Sequence, residues 1–133
     1  MGLFKETEAH IQRAILDWGN AKGILMQRIN VIGTPYQKGG LTFYRPASNV
    51  GMADIHATVL VESIAVSVWL EVKGAKGKLT QNQIEFRDGI SAYGGHYYVC
   101  RSVKDAEDAL KEVEILTWEK INKATERENG GTT

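Results

Sequence analysis

Apolar positions recur at helical spacing over residues 6–18, where Ala9, Ile11, Ile15, Leu16 and Trp18 form one broad stripe. Thr7 or Glu6 stands near the start of this predicted helix, and Gly19-Asn20 supplies a stop. Residues 24–32 are rich in aliphatic side chains and predict a strand, ended by Gly33-Thr34-Pro35. Residues 36–52 read as a long loop with room for one short strand around Leu41 to Tyr44. Residues 53–61 and 65–72 predict two strands, joined as a hairpin across Glu62-Ser63. A glycine- and lysine-rich turn covers residues 74–78. A helix over 80–93 follows, capped by Thr80, with Ile84, Phe86, Ile90 and Tyr93 turned to the core. Gly94-Gly95 ends it, residues 96–100 form a fourth strand, and a last helix runs from Val103 to about Trp118 or on to Glu126. The predicted order is α-β-β-β-α-β-α, an α/β fold with a mixed sheet flanked by helices. It makes one domain over residues 1–128, with a disordered tail at 129–133.

Composition changes this picture little. The chain has 133 residues, 43% hydrophobic and 24% charged, as expected of a globular domain with a real core. No apolar run approaches the roughly 18 residues that span a bilayer, and the first residues lack the basic start and apolar stretch of a signal peptide. The expected location is the cytosol, with no membrane partner. One cysteine and three widely separated histidines exclude an internal disulfide and a cysteine-based zinc site. A metal here would be held by oxygen, which favours magnesium or manganese.

Charge matters more by distribution than by sum. The formal net charge is zero, which by itself argues against a nucleic-acid partner. Between Asn20 and Ala53, however, the charged residues are Lys22, Arg28, Lys38 and Arg45, with no acid. Lys73, Lys76 and Lys78 cluster in the middle, while from Val103 to Glu128 acids outnumber bases by eight to five. A basic surface facing an anion and an acidic back would give this pattern, and so would ordinary surface scatter.

Three pieces carry candidate chemistry. Gly51-Met52-Ala53-Asp54 puts an acid at the opening of a strand, and Glu71-Val72-Lys73 closes the next. Alternation points Glu71 and Lys73 to one face and Val72 to the other. In an antiparallel hairpin the start of one strand lies beside the end of the next, so Asp54 and Glu71 become neighbours. Glu8 on the first helix, with Gln12 one turn on, is the third piece. A lone Glu-x-Lys on a strand is usually a solvated pair. This one ends an apolar strand and has a second acid beside it. Two acids with a backbone carbonyl suffice for magnesium, and a neighbouring lysine can orient water or stabilise developing negative charge.

Gly51-Met52-Ala53-Asp54, Glu71-Val72-Lys73-Gly74 and Leu79-Thr80-Gln81-Asn82-Gln83, with Arg28-Ile29-Asn30 and Val99-Cys100-Arg101-Ser102, resemble the PD-(D/E)xK nuclease superfamily. More narrowly they are similar to the VRR-NUC family, the virus-type replication and repair nuclease domain. The resemblance runs from Glu8 to about Ala109. It implies a mixed-sheet core and metal-dependent cleavage of DNA. Asp54, Glu71 and the Val72 carbonyl would bind Mg2+ or Mn2+, Lys73 would be the catalytic lysine, Glu8 would reach the metal through water, and Gln83 would touch the active site. Ala53 departs from the proline that often precedes the first acid, a position without chemistry.

The chain resembles stand-alone members from bacteriophages and prophages, which implies a bacterial cytosol, a homodimer and branched DNA such as a Holliday junction. The alternatives are a nuclease for flaps or linear duplex, or a catalytically silent DNA-binding or assembly protein. Arg28, Lys38, Arg45, Lys76 and Lys78 are the candidate phosphate contacts. Tyr36, Phe43 and Tyr44 are expected to pack their loop down rather than stack on bases. His56, on the face of Asp54, is expected to be structural, and Trp118 to serve the core or a dimer contact.

Overall fold

A computed structural model describes residues 7–29, 34–45 and 50–130, without the side chains of residues 34, 35, 44, 45 and 130. Helix α1 (Glu8–Ala21) starts on Thr7, whose hydroxyl accepts from the His10 backbone N–H at 3.2 Å. Its stripe is narrower than predicted: Ile11, Ile15 and Gly19 are buried, Leu16 and Trp18 pack partly buried against the core, and Ala9 is exposed. The remaining elements are β1 (Leu25–Arg28), β2 (Thr34–Lys38), β3 (Leu41–Arg45), β4 (Ile55–Val61), β5 (Ile64–Val72), α2 (Gln81–Ala92), β6 (His96–Cys100) and α3 (Val103–Gly130).

The main sheet has the order β1-β4-β5-β6. β4 pairs antiparallel with β1 and β5, with Ile55 opposite Leu70 and Val61 opposite Ile64 across the tight link at Glu62-Ser63. β6 lies parallel to β5, with Val72 opposite Cys100. A parallel neighbour needs a long crossover, and α2 supplies it. The sheet is therefore mixed and flanked by three helices.

Alternation divides the sheet into two faces. Ile55 and Ala57 of β4, Val68, Leu70 and Val72 of β5, and Cys100 of β6 join Ile15, Ala106, Leu110 and Val113 in the core under α1 and α3. On the opposite face Trp69 meets Phe86 of α2 edge-on at 5.2 Å, and Phe86 meets Tyr97 at 6.0 Å. Each buried aliphatic side chain contributes about 1.5–3 kcal/mol on leaving water. That fixes the register of β5, because a one-residue slip would turn Glu71 and Lys73 into the core.

Several expectations need correction or narrowing. Residues 36–52 are not one long loop: β2 and β3 form a hairpin separate from the main sheet. Its turn is Gly39-Gly40 with φ of 61° and 76°, both left-handed, as a two-residue turn of this twist requires. Tyr93 does not face the core but is 95% exposed, since α2 ends one residue before it. Trp118 lies outside the buried core cluster and is 38% exposed on α3. Helix α3 continues through Asn129 and Gly130, so only residues 131–133 of the expected tail lie outside the described residues. The first strand is shorter than predicted, ending at Arg28, and residues 30–32 of that expectation are also outside the description. No helix among the described residues is long and apolar enough to cross a membrane.

Candidate active site

Asp54 stands one residue before β4. Its carbonyl accepts from the Ile29 N–H at 2.7 Å, and its Oδ2 accepts from the Val72 N–H at 2.8 Å. The carboxylate thus bridges from the entry of β4 to the end of β5. In an extended strand the N–H and C=O of one residue point to the same side, so the Val72 carbonyl is also turned toward Asp54. Gly51, three residues earlier, has φ of 90°, and a Cβ there would sit 2.5 Å from the Asn82 carbonyl oxygen. Only glycine lets this segment lie so close to the first turn of α2.

Glu71 and Lys73 extend from the α2 face of β5, yet both are buried, at 1% and 7% exposure. Lys73 Nζ is 3.8 Å from Glu71 Oε1. The same oxygen accepts from Gln83 Nε2 at 2.8 Å. Gln83 does two jobs at once. Its Oε1 accepts from the Thr80 N–H at 2.9 Å and its own N–H donates to the Thr80 hydroxyl at 3.3 Å, which closes a capping box at the start of α2. The helix cap therefore aims the amide nitrogen at Glu71.

The second oxygen, Glu71 Oε2, is buried and has no hydrogen-bond partner. Burial raises the Glu71 pKa from 4.5 to about 8, the charge of Asp54 adds to the rise, and Lys73 works against it. A buried acid with an orphaned oxygen beside a second carboxylate is a place where a cation would relieve both desolvation and repulsion. Among the described residues no group of three or more His, Cys, Asp or Glu gathers at metal-binding distance. Two carboxylates and a carbonyl still fit magnesium or manganese, which keep several waters.

Glu8, at the first position of α1, approaches from the other side. Its Oε1 is a long 3.5 Å from the Gly74 N–H. A Cβ on Gly77 would lie 3.2 Å from both Glu8 Oε1 and Lys73 Cδ, so the two side chains converge on this turn. Exposed Lys76 and Lys78 stand on the same turn. Lys38 is exposed beside the tip of the β2–β3 hairpin, and Arg45 ends β3 opposite Thr34, its side chain lying outside the description. Arg28 is exposed but pairs with Ile55, which places it on the sheet face opposite Asp54; it borders a hollow with Gln12 and Arg13 of α1. His56 shares the face of Asp54 but is engaged elsewhere: Nε2 meets Ser67 Oγ, and the ring lies 4.6 Å from that of Trp69.

Two contributors escape the sequence. Arg101, just past β6, donates from one terminal nitrogen to the Gly74 carbonyl and from the other to the Gly77 carbonyl, the latter at 2.8 Å. It clamps the turn that follows Lys73. Tyr97 has a buried hydroxyl without a partner, and its pKa is raised by burial and then by the charges of Glu71 and Asp54. The exposed Arg and the Tyr in a strand carried no local signal of either role.

A concavity of about 840 Å³, lined by Trp18, Ile24, Leu60 and Leu110 among others, contains none of these residues. Two carboxylates and a lysine at a sheet end, beside a turn with exposed lysines, suit a reaction on a large anion better than one in an apolar hollow. Comparison of the chain with protein-family models, with curated proteins and with solved structures yields no match.

Proposed function

We propose that this protein is a metal-dependent DNA endonuclease of the PD-(D/E)xK type, similar to the VRR-NUC nucleases. The observation that carries the proposal is the buried Glu71 with an unpartnered oxygen, flanked by Asp54 and Lys73. Asp54, Glu71 and the Val72 carbonyl would hold Mg2+ or Mn2+. Such an ion, when bound, neutralises phosphate charge and acidifies water. Lys73 contributes a fixed cation where negative charge develops on the phosphate, and its burial strengthens that effect. Gln83 holds Glu71 in place, Glu8 lies at the edge of the site to take up solvent hydrogen bonds, and Lys76 and Lys78 offer phosphate contacts.

Branched DNA is the preferred substrate in this reading. The test is cleavage of labelled four-way junction, flap and linear duplex with magnesium or manganese. Faster cutting of the junction is expected. Equal rates on linear duplex would replace this preference with a general duplex nuclease.

The clamp on the turn gives a further expectation. Arg101→Ala should lower cleavage about 10–100-fold, the usual cost of losing a group that positions a metal-site residue. Arg101→Lys should not restore it, since one ammonium cannot span both carbonyls. Melting curves and single-turnover rates on the two variants check this; full activity in Arg101→Ala would remove the turn from the mechanism.

A further inference from the structure

The β2–β3 hairpin plays no part in the core or in the acid cluster. It forms its own two-stranded sheet, and every described side chain from Tyr36 to Phe43 is exposed. Tyr36 lies opposite Phe43 in register, and their rings stack at 5.7 Å with 27° between planes. Lys38 pairs with Leu41 on the same face, while Gln37 and Thr42 pair on the other. One face of this ribbon is thus aromatic, aliphatic and cationic, and the other is neutral and polar. Tyr36, Phe43 and Leu41 keep 37%, 42% and 63% of their surface exposed. These three side chains give one face of the ribbon an exposed apolar character.

Charge identifies the partner. The hairpin's own residues, 34–45, hold two cations, Lys38 and Arg45, and no acid. A cationic ribbon with an exposed aromatic pair matches a polyanion that offers flat π-faces. Along the chain, β3 ends nine residues before Asp54. Resting on the nuclease reading, we infer that this hairpin is a DNA-contacting arm. Its Tyr36–Phe43 pair stacks on unpaired bases at a branch point or single strand, while Lys38 contacts phosphate.

The test measures binding by fluorescence anisotropy in EDTA, where no cutting occurs, with a labelled single strand, a four-way junction and a linear duplex. The Tyr36→Ala/Phe43→Ala double variant should bind the single strand and junction about tenfold or more weakly, with a smaller loss on linear duplex. Its salt slope should be unchanged. Lys38→Ala should lower that slope by about one on all three DNAs. A matching thermal melt shows that the core is intact. Unchanged binding by the double variant, an equal loss on linear duplex, or no binding by the wild type would overturn the inference. So would a change in sedimentation showing that the pair instead joins two copies of the chain. A wild type that binds through the hairpin yet cuts nothing with any divalent ion would sink the nuclease reading and leave this inference standing.

Discussion

Lys73→Ala should abolish the proposed DNA cleavage to within measurement, a fall of at least about 10²–10³ in the single-turnover rate, the cost of losing one fixed charge aimed at the transition state. The size follows from burial. Lys73 is 7% exposed, so its ammonium acts across little intervening water. Its removal also takes away the opposing charge that holds the Glu71 pKa down, so Glu71 keeps its proton to higher pH. Lys73→Met keeps the aliphatic stem beside Gly77 and should be equally inactive, which separates lost charge from lost packing. Rates at saturating manganese distinguish the two contributions: excess metal should not restore either variant.

Glu71→Gln should have an effect of opposite sign on activity and stability. A glutamine keeps an oxygen to accept from Gln83 but carries no charge. Metal binding, read by calorimetry with manganese, should be lost, and cleavage with it. The metal-free variant, in contrast, should be at least as stable as the wild type at neutral pH. The folded-state pKa of Glu71, about 8, lies above its unfolded value near 4.5. The folded protein therefore holds the proton more tightly. The resulting stability is fully present below the unfolded value and is lost as pH rises through about 8. Denaturant unfolding of the metal-free wild type from pH 5 to 9 should show that decline, and Glu71→Gln should not. In the wild type, manganese must displace the same proton. Its apparent affinity should rise about tenfold per unit between pH 6 and 7 and flatten above 8. A pH-independent affinity would place the metal elsewhere.

Much of the site's geometry is written locally. The aliphatic run of β5 and the Glu62-Ser63 link are enough to set Asp54 beside the end of β5, and Thr80 declares the start of α2. Gln83 lies three residues from Thr80, so its capping box is local; its hold on Glu71 is not, and spans twelve residues. Arg101 is less legible still. Its partners are main-chain carbonyls 27 and 24 positions away, which carry no residue identity. The β2–β3 hairpin was hidden for another reason. Among the described side chains its strands have no buried face, so the apolar alternation that reveals a strand by contrast with a core is missing there. Gly39-Gly40 was the one local sign of it. Tyr93 shows the converse error: helical spacing extends a stripe past the point where α2 stops.

The proposed cleavage centre is tested most directly by one side-by-side assay. Wild type and Lys73→Ala are incubated with labelled four-way junction and linear duplex in magnesium, in manganese and in EDTA. Cutting by the wild type with either ion, none in EDTA and none by Lys73→Ala is the expected result. No cutting of either DNA with either ion, or undiminished cutting by Lys73→Ala, would contradict a nuclease centre built on Asp54, Glu71 and Lys73.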